Sequence, residues 1–374
     1  MTGSDGAWLG VLPGDPRSWL RHSDEPYARW VTRVRLDDRP SDDPTVHADH
    51  RATMDDPVVR ALIGRLPAWT DPVRSHGAPT YAPNLLNLLA DLGVTEEDEL
   101  PAVQRLLDEM LEHRTPEGRF LAFASFIRQP EPAWSTVACD HYAITEVLVR
   151  YGRADDPRVR TALALMADDI TDTSMGRGCR CLPHSRTGGR GPGRVADPCP
   201  QVTAEALRTF GRLGAANRPA GLDDVARTVL RVWRERSEAK PYMFGHGAHF
   251  KAVKWPNIWY SDLTVLEALA PYPEVWTGAS NDRDDTAAAA ELVACLAAYN
   301  ADSDGRVVPR SIYRGFDDFS FGQKKKPSPI ATAWVCAALR SFDVIGDTAA
   351  AVDVTRLGSA KGGTGVPVPP RSRP

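Results

Sequence analysis

The chain has 374 residues, 42% of them hydrophobic and 25% charged, with 45 basic against 49 acidic side chains. These values describe an ordinary globular protein long enough to bury a large core, and they give no electrostatic footprint for nucleic acid. No apolar run reaches the length of a membrane span, and the opening residues MTGSDGAWLGVLPGDPRSWL lack a basic segment followed by an apolar one, so a cytoplasmic protein is expected. Six cysteines are too few for a disulfide scaffold in a chain of this size, and in a reducing compartment clustered thiols point to metal or catalysis.

Residues 1–50 read as an N-terminal extension. It closes on the acidic, proline-broken stretch RLDDRPSDDPTVHADHR, which looks like an exposed connection. From about residue 51 the helical period dominates and strand signals are scarce. YAPNLLNLLADLGV is mostly apolar and should be buried. The next helix, in ELPAVQRLLDEMLEHRTPEGRF, carries Val103, Leu106, Leu107, Met110 and Leu111 on one face and ends in a turn. The same pair returns in CDHYAITEVLVRYGRADDPRVRTALALMADDITD and again in CPQVTAEALRTFGRLGAANRPAGLDDVARTVLRVWRERSEAKPYMFG. A fourth copy is SDLTVLEALAPYPEVWTGASNDRDDTAAAAELVACLAAYNADSDGRVV, and SPIATAWVCAALRSF is a fifth buried helix. Inner helices therefore begin near Pro83, Cys139, Cys199, Asp262 and Pro329, a spacing of roughly 55–65 residues that is typical of arrays and closed repeats. A helix that is apolar nearly all round needs partners on every side. The prediction is an all-α fold over residues 51–345, an α/α toroid built as a barrel of helical hairpins, with an open right-handed solenoid as the structural alternative. Residues 346–374, ending in GSAKGGTGVPVPPRSRP, are expected to be a disordered tail. Cys295 and Cys336 lie on apolar helical faces and read as core packing.

Buried T-x-x-x-L-x-A-L helices alternating with amphipathic ones that end in a D-G-R-like turn resemble the squalene (terpene) cyclase and protein prenyltransferase repeat superfamily, in particular its short bacterial members. The pieces that carry the likeness are DDPRVRTAL, VACDHYAITEVLV, CPQVTAEAL, FKAVKWPNIWYSDLTVLEAL and KPSPIATAWVCAALRSF, spread over roughly residues 50–345. The turns TPEGRF and DSDGRVV lack the family's Gln and Trp. The resemblance implies a toroidal fold and a hydrophobic or isoprenoid-like small molecule as ligand. NDRDDTAAAAELV also resembles the D-x-D-D-T-A motif of class II terpene cyclases, which would make Asp284 the general acid. Its place argues otherwise, because the helix it opens runs into the DSDGRVV turn that closes outer helices. There Asp284 would cap free N–H groups at the positive end of the helix dipole.

GCRCLPHSRTGGRGPGRVADPCP is too rich in Gly, Pro and Arg for regular structure. If Cys139 and Cys199 open successive inner helices, they meet on one rim, and the connection carrying Cys179 and Cys181 must return there. The four thiols would suit tetrahedral Zn²⁺, with Asp140, His141 or His184 as substitute ligands, and an iron–sulfur cluster is the alternative. Reduced thiols packed at a rim are the bland reading, and a redox pair is the third. Asp140 and His141 also count as catalytic candidates. The family's prenyltransferases hold zinc through Asp, Cys and His, but those ligands do not map residue by residue onto this cluster.

YMFGHGAHFKAVKWPNIWYSD gathers His246, His249, Lys251, Lys254, Trp255, Trp259, Tyr260 and Asp262, and FDDFSFGQKKKPSP adds Phe316, Phe319, Phe321 and Lys324–Lys326. Aromatic walls suit an apolar or cationic ligand, and lysines beside helix starts suit phosphate or carboxylate. The substrate candidates are His249, Lys251, Lys254, Trp255, Trp259, Tyr260, Asp262 and Phe319. The competing view has the aromatics plugging the core and the lysines solvated. Two functional classes stay open: a metal-assisted enzyme on an apolar substrate, and a non-catalytic binding or scaffold protein with a structural cluster. Nothing in the sequence sets the oligomeric state.

Overall fold

Proline sets many of the helix starts. Pro26, Pro44, Pro83, Pro101, Pro157, Pro200, Pro273 and Pro329 each hold the first or second position of a helix, where the missing N–H has no intrahelical partner to lose. Asp43, Asp156, Ser261 and Ser328 accept first-turn N–H groups as caps.

The computed structural model describes residues 6–126, 129–184, 188, 190, 191, 193–241, 250–278 and 283–357. In chain order the helices are α1 (Arg17–Arg21), α2 (Pro26–Arg35), α3 (Pro44–Asp55), α4 (Pro57–Gly64), α5 (Ala82–Asp91) and α6 (Pro101–Glu112). There follow α7 (Ala138–Arg150), α8 (Pro157–Asp168), α9 (Pro200–Gly211), α10 (Leu222–Arg234) and α11 (Asp262–Leu269). The last are α12 (Pro273–Trp276), α13 (Arg283–Asn300), α14 (Pro329–Arg340) and α15 (Gly346–Ala350). Strands β1 (Ala122–Phe126) and β2 (Gln129–Ser135) pair antiparallel, as do β3 (Ile170–Thr173) and β4 (Gly176–Cys179). A short parallel pair joins β5 (Lys254–Trp255) to β6 (Ser311–Ile312). Among the described residues no sheet exceeds two strands, so the fold is mostly helical, and no helix is long and apolar enough to cross a membrane.

The chain forms two compact units. One runs Pro57–Thr228; the other is drawn from the chain up to Asp56 and from Val229 onward. Within the first, α5, α7 and α9 lie side by side in parallel. Their starts meet around Tyr81, Asp140, Cys139 and Cys199. Their ends meet through Arg150, which pairs with Asp91 and donates to Asn87 O at 3.1 Å, and through Arg208, which pairs with Glu146 at 2.7 Å. Ala138 through Val149 are all buried, as an apolar helix with neighbours on every side requires. In α6 only Val103, Leu106, Leu107, Met110 and Leu111 are buried, one face of an outer helix.

A tight hairpin follows three outer helices. Thr115 N–H donates to Arg119 O after α6, and Asp302 N–H donates to Arg306 O after α13. After α8 the β3–β4 hairpin takes this place. Gly118, Gly176 and Gly305 sit there at φ of +105°, +123° and +74°, a left-handed region that favours glycine. The residue just past the turn then docks on the next inner helix in the same way. Cys199 N–H donates to Cys179 O, and Cys179 N–H donates to Thr203 Oγ1; Ser328 N–H donates to Val307 O, and Val307 N–H donates to Thr332 Oγ1. Before α7, Phe120 N–H donates to His141 Nδ1. Phe120, Cys179 and Val307 are thus one repeat position, and His141, Thr203 and Thr332 are another.

Three sequence expectations need correction. The second half of the stretch read as an exposed connection is the start of α3, in which Val46 and Thr53 are buried and Asp49 pairs with Arg29 at 2.7 Å and Arg33 at 2.5 Å. Residues 6–50 are not an appendage, because α2 packs on α14 and buries Tyr27, Ala28 and Val31. Arginines interleaved through YARWVTRVR obscured that apolar stripe. Residues 346–357, placed in the tail, include α15 with Ala349 buried; residues 358–374 lie outside the described set.

Candidate functional site

Cys139 is the second residue of α7 and Cys199 is the N-cap of α9. The Gly176–Cys179 strand returns the chain to that end, contrary to the expectation of an irregular loop throughout, and Cys181 follows two residues later. The Cys139, Cys181 and Cys199 thiols lie close enough to perturb one another's protonation, with Cys199 between the other two. Gly191 N–H donates to Cys181 Sγ at 3.2 Å, and the Arg190 guanidinium clamps the Cys181 carbonyl at 2.8 and 3.1 Å. Three thiols separated by 42 and 18 positions in the chain therefore form one connected group.

Cys179 stands apart from that group. It occupies the repeat position of Phe120 and Val307, is 1% exposed, and has the Tyr142 hydroxyl at 3.6 Å. Its packing role follows from the fold. His141 is likewise a structural residue, since its Nδ1 accepts Phe120 N–H where Thr203 and Thr332 do the same work. Burial, aided by the Arg119 charge, pushes His141 down to about 3. His184 is buried in the loop beyond Cys181, and its carbonyl accepts Gly188 N–H at 2.9 Å.

The thiols are not activated. Sequence reasoning expected helix N-termini to favour thiolates; the neighbouring Cys139 thiol and burial instead push Cys199 up to about 12. The neighbouring Cys199 thiol and burial raise Cys181, and burial pushes Cys179 up to about 12. For Cys139 the Cys199 thiol pulls downward, yet burial with the Glu205 and Asp140 charges leaves it raised. A thiolate is costly in this setting unless a positive charge arrives with it.

Two buried carboxyl groups flank the thiols. Asp140, 1% exposed, has its Oδ1 at 3.8 Å from His76 Nδ1 and without a hydrogen-bond partner among the described residues. Burial raises its pKa, with the His76 charge and the Tyr81 hydroxyl pulling the other way. Glu205, 4% exposed, accepts from Gln201 Nε2 at 2.8 Å through one oxygen, while the other has no hydrogen-bond partner among the described residues. Burial pushes it up to about 8. Sequence reasoning missed Glu205, Gln201, His76 and Tyr81. A polar pair four residues apart in CPQVTAEAL, a helix expected to be buried all round, was the available signal for the first two. Among the described residues, no three Cys, His, Asp or Glu side chains are arranged to hold a metal ion as they stand.

The aromatic segment belongs to the other unit. Trp255 is 1% exposed and stacks on Trp334 at 5.9 Å; Phe319 is buried and stacks on Phe321 at 4.8 Å. These rings fill core. Tyr260 is buried against Phe250 and Trp259 is half-buried. Lys254 is exposed with its Nζ 3.8 Å from the Tyr313 ring centre, and Lys324–Lys326 are exposed. Lys251 is buried and donates to Leu357 O at 3.1 Å. Asp262 is fully buried at the start of α11, with neither oxygen hydrogen-bonded among the described residues; burial raises its pKa well above the usual range, and the Lys251 charge opposes this. His246 and His249 lie outside the described residues. Asp284 is exposed in the first turn of α13, while Asp285 beside it is buried against Arg234.

In comparisons with known proteins, the chain matches no family model, no curated protein and no solved structure.

Proposed function

We propose that the protein is a metal-assisted enzyme of the terpenoid cyclase and protein prenyltransferase type, an α/α toroid that binds Zn²⁺ through Cys139, Cys181 and Cys199 and acts on an apolar or isoprenoid-like substrate. One observation carries the metal assignment: three thiols from distant parts of the chain lie close enough to perturb one another, beside a buried carboxylate oxygen, Asp140 Oδ1, which has His76 Nδ1 at 3.8 Å and accepts no hydrogen bond among the described residues. Soft sulfur donors with one oxygen or nitrogen neighbour are a zinc-type donor set. Asp140, with His76 beside it, is the source of the remaining ligand. Three connected thiols fall short of the four an iron–sulfur cluster takes, which ranks that alternative lower. A bound zinc ion would supply Lewis acidity and stabilise thiolates that the protein alone keeps protonated. The recurring turn-to-helix docking at Phe120, Cys179 and Val307 supports a repeat of helix pairs, which a toroid requires. The exposure of Asp284 speaks against a class II cyclase acid at that position.

The competing reading is a non-catalytic protein with reduced thiols, favoured by the raised pKa of all three. Metal analysis of protein purified under reducing conditions separates the two. The expected result is close to one equivalent of zinc per chain, lost in Cys181→Ser. Metal-free protein that also fails to take up added Zn²⁺ at micromolar concentration would remove the metal assignment.

A further inference from the structure

The unit holding α1, α2 and α14 contains an open groove of about 1190 Å³ with no part in the thiol site. Arg17, Arg21, Arg35, Arg39 and Arg340 line it, against the three carboxylates of Asp37, Asp38 and Asp343. Asp15 and Asp43, just outside the lining, take Arg17 at 2.7 Å and Arg39 at 3.5 Å, so Arg35 is the one guanidinium of the five without a side-chain partner among the described residues.

Carboxylates hold three of the five arginines in place, and Asp15 takes Arg17 at 2.7 Å. Asp37 takes Arg21 through Nε at 3.0 Å and Nη2 at 2.6 Å. Asp38 takes Arg340 through Nη1 at 2.7 Å and through Nη2, and the same Nη1 donates to Arg35 O at 2.9 Å. A guanidinium has five N–H donors, so these bonds fix each plane and leave others unused. Asp343 is itself engaged by the backbone N–H of Trp8 at 2.9 Å. Arg35 and Arg39 are exposed and flank Asp38, whose φ of 49° turns the chain at the end of α2. Among the described residues Arg39 has only a 3.5 Å contact to Asp43, and Arg35 has no side-chain partner. Arg340 also covers the carbonyl at the end of α2, so that helix does not present this oxygen to the groove.

The geometry points to a binding site for a small oligophosphate anion. Guanidinium forks held in place by carboxylates match phosphate oxygens in pairs. Arg35, and Arg39 with its single long contact, are the exposed cations left to meet a multiply charged ligand, and the volume admits a molecule larger than one phosphate.

Calorimetric titration of the full chain with inorganic pyrophosphate, and separately with orthophosphate, tests this at about 0.05 M and about 0.5 M salt. Pyrophosphate is expected to bind more tightly than orthophosphate and to weaken at high salt. The double variant Arg35→Ala/Arg39→Ala should weaken it by about tenfold or more, and Arg356→Ala, an exposed arginine outside the groove, should leave it unchanged. Both arginines are exposed, so the double variant should keep the parent's circular dichroism and melting curve. No heat with millimolar pyrophosphate at low salt would overturn the site. So would an affinity that the double variant shares with the parent, or one that Arg356→Ala weakens equally.

Discussion

Glu205→Gln should stabilise the protein at pH 8 and leave it nearly unchanged at pH 5. Glu205 is 4% exposed, and burial pushes its pKa from an unfolded value of 4.5 up to about 8. Between those values the native chain keeps a proton that the unfolded chain has lost. Stability then falls as pH rises, by about 1.4 kcal/mol per pH unit for this one group, or about 4 kcal/mol from pH 5 to pH 8. Below 4.5 both states are protonated and the penalty disappears; above about 8 it is present in full. Glutamine retains an oxygen to accept from Gln201 Nε2, now bonded at 2.8 Å, and cannot ionise. Urea unfolding of parent and variant with chelator and reductant present, at pH 5 and at pH 8, reads the difference directly. The variant should gain about 2–4 kcal/mol relative to the parent at pH 8. Equal pH dependence in the two proteins, or equal destabilisation at both pH values, would refute the claim that this carboxyl is held neutral by burial.

Arg208→Met should cost about 3 kcal/mol in the same assay at pH 7, because it leaves Glu146, 1% exposed, with only Arg212 at 3.8 Å. An effect below about 0.5 kcal/mol would mean that Arg212 fully replaces it. Asp284→Asn should cost no more than about 1 kcal/mol, the scale of a first-turn dipole interaction. Asp285→Ala should cost about 2–4 kcal/mol through loss of the partner to Arg234 and of packing at a site 1% exposed. The reverse order of these two thermal shifts would contradict the placement of α13.

Much of the helix layout was legible because it is a one-dimensional property. The 3.6-residue apolar period, the prolines at helix starts and the glycine turns after outer helices are written in consecutive residues, and the inner starts near Pro83, Cys139, Cys199, Asp262 and Pro329 follow from them. Cys295 and Cys336 were readable as core for the same reason, and both are 0% exposed. The meeting of Cys139 with Cys199 was foreseeable once the repeat was seen, since successive inner helices start together.

Which chemistry gathers at that end was decided only in three dimensions. Cys179 and His141 look like ligands in sequence, yet each fills a repeat position whose work is packing or accepting a backbone N–H, visible only beside Phe120, Val307, Thr203 and Thr332. Glu205 and His76 look ordinary in sequence, and become notable because burial removes water from Glu205 and brings His76 toward Asp140. The arginines of α2 obscured a buried helix, and the groove they share with Arg340 joins positions some 300 residues apart. Desolvation and long-range pairing depend on the surroundings of a group, which neighbouring letters in the chain do not encode.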